Sequence, residues 1–225
     1  MKILILLLYA AMGVVETEQP ISISEQRRLW VNSDTFKLIR ARDGSQLAEA
    51  RGHVEVLHGP YRLTCDRLIM ADEKREGTAI GNVELARKEE GIRLLGQKLV
   101  YHENLKQVEI TGEPSLIKVD AEGRTTTATG QVMSFDEETR RGEIRGDVHI
   151  IQGELTAACG KAVYEAEPDI LVLTEDPSTV QGRNEVRGER MTIHVGTDRM
   201  VIEGRVTGKV FGDPAAASQA EKGKP

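Results

Sequence analysis

The sequence predicts an all-β protein: a single elongated sheet of about 12–16 consecutive antiparallel strands, folded lengthwise over an apolar trough. Three observations predict it. Aromatic residues are only 4% of the chain, while Gly is frequent at 22 of 225 residues and Val, Ile, Thr and Leu are common. That composition suits many short strands rather than a helical bundle. One sequence unit recurs six times. Each unit carries a one-residue slip in its period-two apolar pattern.

The repeat is plainest where "LLGQKLVYHENLKQVEITGEPSLI" (94–117) and "AACGKAVYEAEPDILVLTEDPSTV" (157–180) match at K-x-V-Y and T-[GE]-[ED]-P-S, 63 residues apart. Extension finds a small residue at one fixed point of every copy: Ser33, Cys65, Gly96, Gly130, Cys159 and Gly188, spaced 32, 31, 34, 29 and 29 residues apart. Repeats of this length stack neighbours into one continuous core. Two residues before the small one come Val31, Leu63, Leu94, Ala128, Ala157 and Val186. Three after it come Phe36, Leu68, Leu99, Met133, Ala162 and Met191, and five after it Leu38, Met70, Tyr101, Phe135, Tyr164 and Ile193.

Positions −2 and 0 share a face, as do +3 and +5, but the step from 0 to +3 is odd. In a regular strand that step turns every later side chain to the other face. A bulge or sharp bend at the small residue restores the facing. Each such strand is therefore expected to fold over at its middle and keep one face inward on both arms.

A return strand follows. Its own column holds Gly81, Gly112, Gly146, Glu175 and Gly204, eleven residues beyond +5, with Gly52 arriving after a longer loop in the first copy. Apolar Ala79, Ile110, Ile144, Leu173 and Ile202 precede it by two, and Val54, Val83, Pro114, Val148, Pro177 and Val206 follow by two. Val56, Leu85 and Ile150 continue the alternation. Glu175 in the glycine column is expected to make the fifth bend less tight. Polar turns such as "HENLKQ" and "EAEPD" join outgoing to return strands.

The flanks read differently. "MKILILLLYAAMGVVETEQP" has one basic residue, an apolar run of 13 residues (Ile3–Val15) and a small-x-small step at Ala11–Gly13. A membrane span needs about 20 apolar residues. The stretch reads as a signal peptide, residues 1–13, with cleavage between 13 and 18. The β domain is expected over 20–212, and the Ala-, Gly- and Pro-rich residues 213–225 as a disordered tail.

Little in the chain suggests chemistry. Cys65 and Cys159 stand in one column three repeats apart, about 29 Å at the usual strand spacing, too far to be bridged. His53, His58, His102, His149 and His194 fall in different repeats without a metal-ligand spacing. Asp34 and Asp66, next to the small residue, are expected to accept backbone N–H bonds at the bulge. The net charge of −6 is spread along the chain with no basic block, which argues against nucleic acid. No enzyme, metal or cofactor is expected. By alternation the inward positions are Phe36, Leu38, Val54, Val56, Leu68, Met70, Val83, Leu85, Leu99, Tyr101, Met133, Phe135, Val148 and Ile150. Whether these side chains fill one another or leave room for a ligand is open on pattern alone.

"LTCDRLIM", "LLGQKLVY" and "TATGQVMSF", followed by "GNVEL" or "GDVHI", resemble the OstA-like domain of the LptA family, over about residues 28–212. The resemblance implies a β-jellyroll whose interior holds the acyl chains of lipopolysaccharide (lipid A), so the inward positions become the lipid-binding interior. It implies a periplasmic location and a bridge between inner and outer membranes. It also implies end-to-end homo-oligomers with LptC-like inner-membrane and LptD-like outer-membrane partners. Two other readings stay open: a ligand-free, self-assembling β-scaffold of the cell envelope, and an LptC-like member of the same family.

Overall fold

Period-two apolar patterning with a break near the middle of each strand produces strands bent at their centres. The structure, a computed structural model, describes residues 29–211 except 41–44, 72–73, 88, 90, 121–122, 195–198 and 210. The expected signal peptide and tail lie outside the described residues, as do the domain's first positions.

Eighteen antiparallel segments form one sheet. Six run unbroken through the bend: β3 (Gln46–His58), β4 (Tyr61–Ala71), β5 (Glu76–Arg87), β6 (Ile92–His102), β11 (Arg141–Gln152) and β12 (Leu155–Glu165). The other twelve are the paired arms of six broken strands. These are β1 (Leu29–Asn32) with β2 (Thr35–Arg40), β7 (Gln107–Thr111) with β8 (Ser115–Val119), and β9 (Thr125–Thr129) with β10 (Val132–Asp136). Nearer the C-terminus are β13 (Ile170–Thr174) with β14 (Ser178–Gln181), β15 (Asn184–Arg187) with β16 (Arg190–His194), and β17 (Arg199–Glu203) with β18 (Thr207–Lys209). Six unbroken and six broken strands make twelve, stacked in chain order, each hydrogen-bonded to the next on both sides of a common spine.

The first arm contains β1, β8, β9, β14, β15 and β18; the second contains β2, β7, β10, β13, β16 and β17. The unbroken strands contribute half of their length to each arm. No pairing joins the first strand to the last among the described residues, so the sheet is open at both ends.

The bend lies where the sequence places it, and the extra residue is on the return strand. Arg51 pairs with Arg67 and Val54 with Cys65, so Gly52 and His53 oppose Asp66 alone. The same two-against-one step sets Gly81 and Asn82 against Gln97, and Gly146 and Asp147 against Gly160. Both bulge residues are left-handed: φ is 74° and 45° at Gly52 and His53, 77° and 46° at Gly81 and Asn82, and 75° and 46° at Gly146 and Asp147. A glycine takes the first place at little steric cost.

Asp34 and Asp66 hold the outer side of this bend, but through side chains rather than the expected backbone N–H groups. Asp34 Oδ2 lies 3.0 Å from His53 Nδ1, and Asn82 Nδ2 donates to Asp66 Oδ2 at 2.9 Å. Gln131 Nε2 donates in the same way to Asp147 Oδ2, at 2.9 Å. The bulge therefore carries a polar clasp on its outer side while its inner side stays apolar.

The core lies between the arms. One cluster runs from Ala50 to Met133 and includes Val54, Leu63, Leu85, Ile92, Leu99 and Ile110. A second comprises Val148, Ala157, Cys159, Ala162, Leu173 and Met191, and Ile144 packs against both. Cys65 and Cys159 are free and buried, six strands apart.

Candidate functional site: an apolar trough between two arms

Ten of the fourteen inward positions come together in the interior. Val54, Val56, Val83, Leu85 and Val148 are each 1% exposed, and Leu68, Leu99, Tyr101, Met133 and Met70 are buried beside them. Phe135 and Ile150 are half-buried. Phe36 and Leu38 lie in the right column but are 50% and 75% exposed. They sit on β2, which among the described residues has a neighbour on one side only, β3.

Burial sets the chemistry of the trough. The Tyr101 hydroxyl is pushed up to about 12, by burial first and then by Glu137 and Glu103. The Cys65 and Cys159 thiols are both raised to about 11 by burial and stay protonated, so neither is a reactive thiolate. Among the described residues, no group of three or more His, Cys, Asp or Glu side chains is placed to hold a metal ion.

The free margins of the two arms form the lips of the trough, and they differ. On the second arm the outermost inward row passes through Met70, Gly77, Tyr101, Val108, Phe135, Gly142 and Tyr164, each paired to the next. That lip is apolar and aromatic. Beside it stands Glu137, whose carboxylate oxygens are buried without a hydrogen-bond partner and whose pKa rises to about 7, mainly through burial.

On the first arm the equivalent row is His58, Tyr61, Arg87, Ile92 and Lys118, continuing to Thr126 and Gln152. This lip is polar and cationic. Sequence reasoning stopped one alternation short of it. The signal was present, because His58 continues the inward series Val54, Val56, and Arg87 continues Val83, Leu85.

The outer face of the second arm is ionic. Glu49 is 6% exposed between Arg51 (2.8 Å) and Arg67 (2.5 Å), whose hydrogen bonds hold its carboxyl below the usual range. Glu143 is held by Arg145 and Lys161, both at 3.1 Å. The trough thus has an apolar inside and a charged outside, set by alternation.

A family model described as "LptA/(LptD N-terminal domain) LPS transport protein" matches residues 31–199. The chain belongs to this family. The family is one of lipopolysaccharide-transport proteins, and this chain has the all-β, folded-sheet architecture of the β-jellyroll that the resemblance implied. Among solved structures it is similar to LptH of Pseudomonas aeruginosa, the LptA-homologous periplasmic component of the lipopolysaccharide transport device. Identity is 16%, the TM-score is 0.34, and the match covers 84% of this chain and 99% of that one. No curated protein sequence matches the chain.

Proposed function

We propose that this protein is a periplasmic bridge that shields the acyl chains of lipopolysaccharide from water between the inner and outer membranes. The observation that carries the reading is the unbroken inward apolar lining of a sheet open at both ends. Each methylene moved from water into such a lining gains about 0.8 kcal/mol, so several chains bind without specific polar contacts. Its residues are those named from the sequence: Phe36 and Leu38 at one entrance, and Val54, Val56, Leu68, Met70, Val83, Leu85, Leu99, Tyr101, Met133, Phe135, Val148 and Ile150 along the path. The N-terminal edge exposes Trp30, Phe36 and Leu38, and the C-terminal end Val206 and Phe211. Unpaired edges with apolar side chains invite strand addition, giving end-to-end copies and junctions with LptC-like and LptD-like partners.

A second reading, the ligand-free scaffold, draws on the tight mutual burial of the interior side chains. Under the transport reading the arms must part to admit acyl chains. A photo-crosslinking residue at Tyr101 or Phe135 is expected to capture lipopolysaccharide in cells, while the same residue at outward, exposed Glu109 is not. Equal capture from both faces of folded protein, or none from either, leaves only the scaffold.

A further inference from the structure

The two lips of the trough are unlike each other, and the difference orients an amphiphile. The inward row along the first-arm margin starts with His58, whose Cα partner is Tyr61; Tyr61 pairs with Arg87, Arg87 with Ile92, and Ile92 with Lys118. Ile92 is core, and its neighbours in the row face the same way. Arg87 and Lys118 therefore present two cations to the interior margin, two strands or about 10 Å apart. The Arg87 guanidinium lies 5.4 Å from the centre of the Tyr61 ring. Lys118 joins no ion pair among the described residues.

Two carboxylates of this arm near the cations are turned outward, and Asp120, two residues beyond Lys118, is paired with Arg124 at 2.7 Å. Glu55 and Glu84 face away from the trough and are tied to Arg62 and Arg93 at 2.6 and 2.8 Å. His58 is 4% exposed with neither ring nitrogen hydrogen-bonded, and burial lowers its pKa, leaving a neutral donor and acceptor at the margin. Beyond Lys118 the row keeps hydrogen-bonding groups, Thr126 and Gln152. The facing row is apolar, aromatic and glycine over the same length, with the Glu137 carboxyl beside it.

We infer that the first-arm lip is the head-group side: it holds the anionic, phosphorylated head of an acylated ligand on Lys118 and Arg87, while the chains point toward Tyr101 and Phe135. The inference rests on the acyl-chain reading above and adds its polarity. A fixed orientation lets successive copies pass a ligand on without turning it over. A phosphate needs charge and donors, which this lip supplies and the other does not. Acyl chains need an apolar surface, which the second-arm row supplies through Met70, Tyr101, Val108 and Phe135, with Glu137 beside it pushed toward its neutral form by burial.

The test compares bisphosphorylated lipid A with the same acylated disaccharide lacking both phosphates, bound to purified protein at low salt. Wild-type protein is expected to prefer the phosphorylated form about tenfold, the preference shrinking as salt rises. Lys118→Gln is expected to remove most of that preference while still binding the dephosphorylated lipid, and Lys118→Arg to keep it. Lys98→Gln, an exposed outward cation on β6, is expected to change nothing. Inorganic phosphate in excess is expected not to displace the lipid; displacement would mark a site for the free anion and overturn the inference. So would a preference that survives in Lys118→Gln or is lost equally in Lys98→Gln. Equal binding of both lipids by wild type removes the head-group lip and leaves the transport reading standing. Failure to bind either lipid removes both.

Discussion

At the fifth bend the usual residues have changed places. In most repeats a glycine opens the bulge, and the side chain opposite fills the space a Cβ would need: a Cβ on Gly52 would lie 2.1 Å from Asp34 Oδ2, and one on Gly204 would lie 2.4 Å from Glu189 Cβ. Here Glu175 holds the left-handed position with φ 63°, and the glycine is across from it at Gly160. A Cβ on Gly160 would lie 2.6 Å from Glu175 Cβ. The expected loosening of this bend is therefore not what the structure has: Gly160 N donates to Glu175 O at 2.8 Å, and the register holds. Both residues were visible in the sequence, but only the register joins positions 15 apart. Gly160→Gln is expected to cost about 2 kcal/mol or more through the clash. Adding Glu175→Gly, which restores the common arrangement, should recover most of it, a coupling readable in urea unfolding of the four proteins. A second residue-scale expectation concerns Glu137. Its folded pKa of about 7 lies above the ordinary 4.5, so below 4.5 it is protonated folded or unfolded and costs nothing. Between 4.5 and 7 the unfolded chain ionises first and stability falls as pH rises, levelling off above 7. Glu137→Gln should match wild type near the acid end and exceed it at about pH 8 by roughly 1 kcal/mol, allowing for solvent screening of a half-buried group. A wild-type advantage at that pH would contradict the cause assigned to the shift.

Among the elements, the bent strand was legible because its outgoing half breaks alternation in every copy. Cys65 is inward, Leu68 is inward, and the odd step between them required a bend. The location of the extra residue was not legible, because the return strand alternates without interruption: Ala50, Gly52, Val54 and Val56 read as one regular strand. The small column also has a more specific reason than close backbone approach. Where it holds Gly, the return strand holds Ile two residues before its own glycine, and that side chain takes the space. Added Cβ atoms on Gly96, Gly130 and Gly188 would lie 2.7, 2.5 and 2.5 Å from side-chain atoms of Ile110, Ile144 and Ile202. Where the column holds Ser33 or Cys65, the partner is only Ala50 or Ala79. In five of the six copies volume is thus shared between two columns, each constraining the other; in the fifth, Cys159 and Leu173 are both buried without that exchange. Gly130→Ala should destabilise by about 1–3 kcal/mol. Shortening its partner, Ile144→Val, should cost less in the Gly130→Ala background than in wild type, which thermal melts of the single and double variants can measure.

On the scale of the molecule, open ends separate a site position from a buried one. The columns that named Leu68 and Leu99 named Phe36 and Leu38 with equal force, and the inward facing of all four follows from the same alternation. What alternation cannot express is that β2 is terminal, so that its inward side chains lack cover on one side while those of β4 and β6 are enclosed by neighbours. The cationic lip is hidden in the sequence for a related reason: the apolar columns end where Val56 gives way to His58 and Leu85 to Arg87, although the facing continues. The exposed edge gives an expectation of its own. Because Phe36 and Leu38 are 50% and 75% exposed, replacing both with Glu removes little burial within one copy, and the fold should keep its β signal in circular dichroism and its melting temperature to within a few degrees. If copies join end to end through this edge, the same change places two charges on the apolar side of the junction, where desolvation opposes association. Sedimentation velocity across a concentration series should then show oligomers giving way to monomer. A distribution unchanged from wild type would move the contact away from Phe36 and Leu38, to other exposed apolar positions such as Val206 and Phe211 at the opposite end.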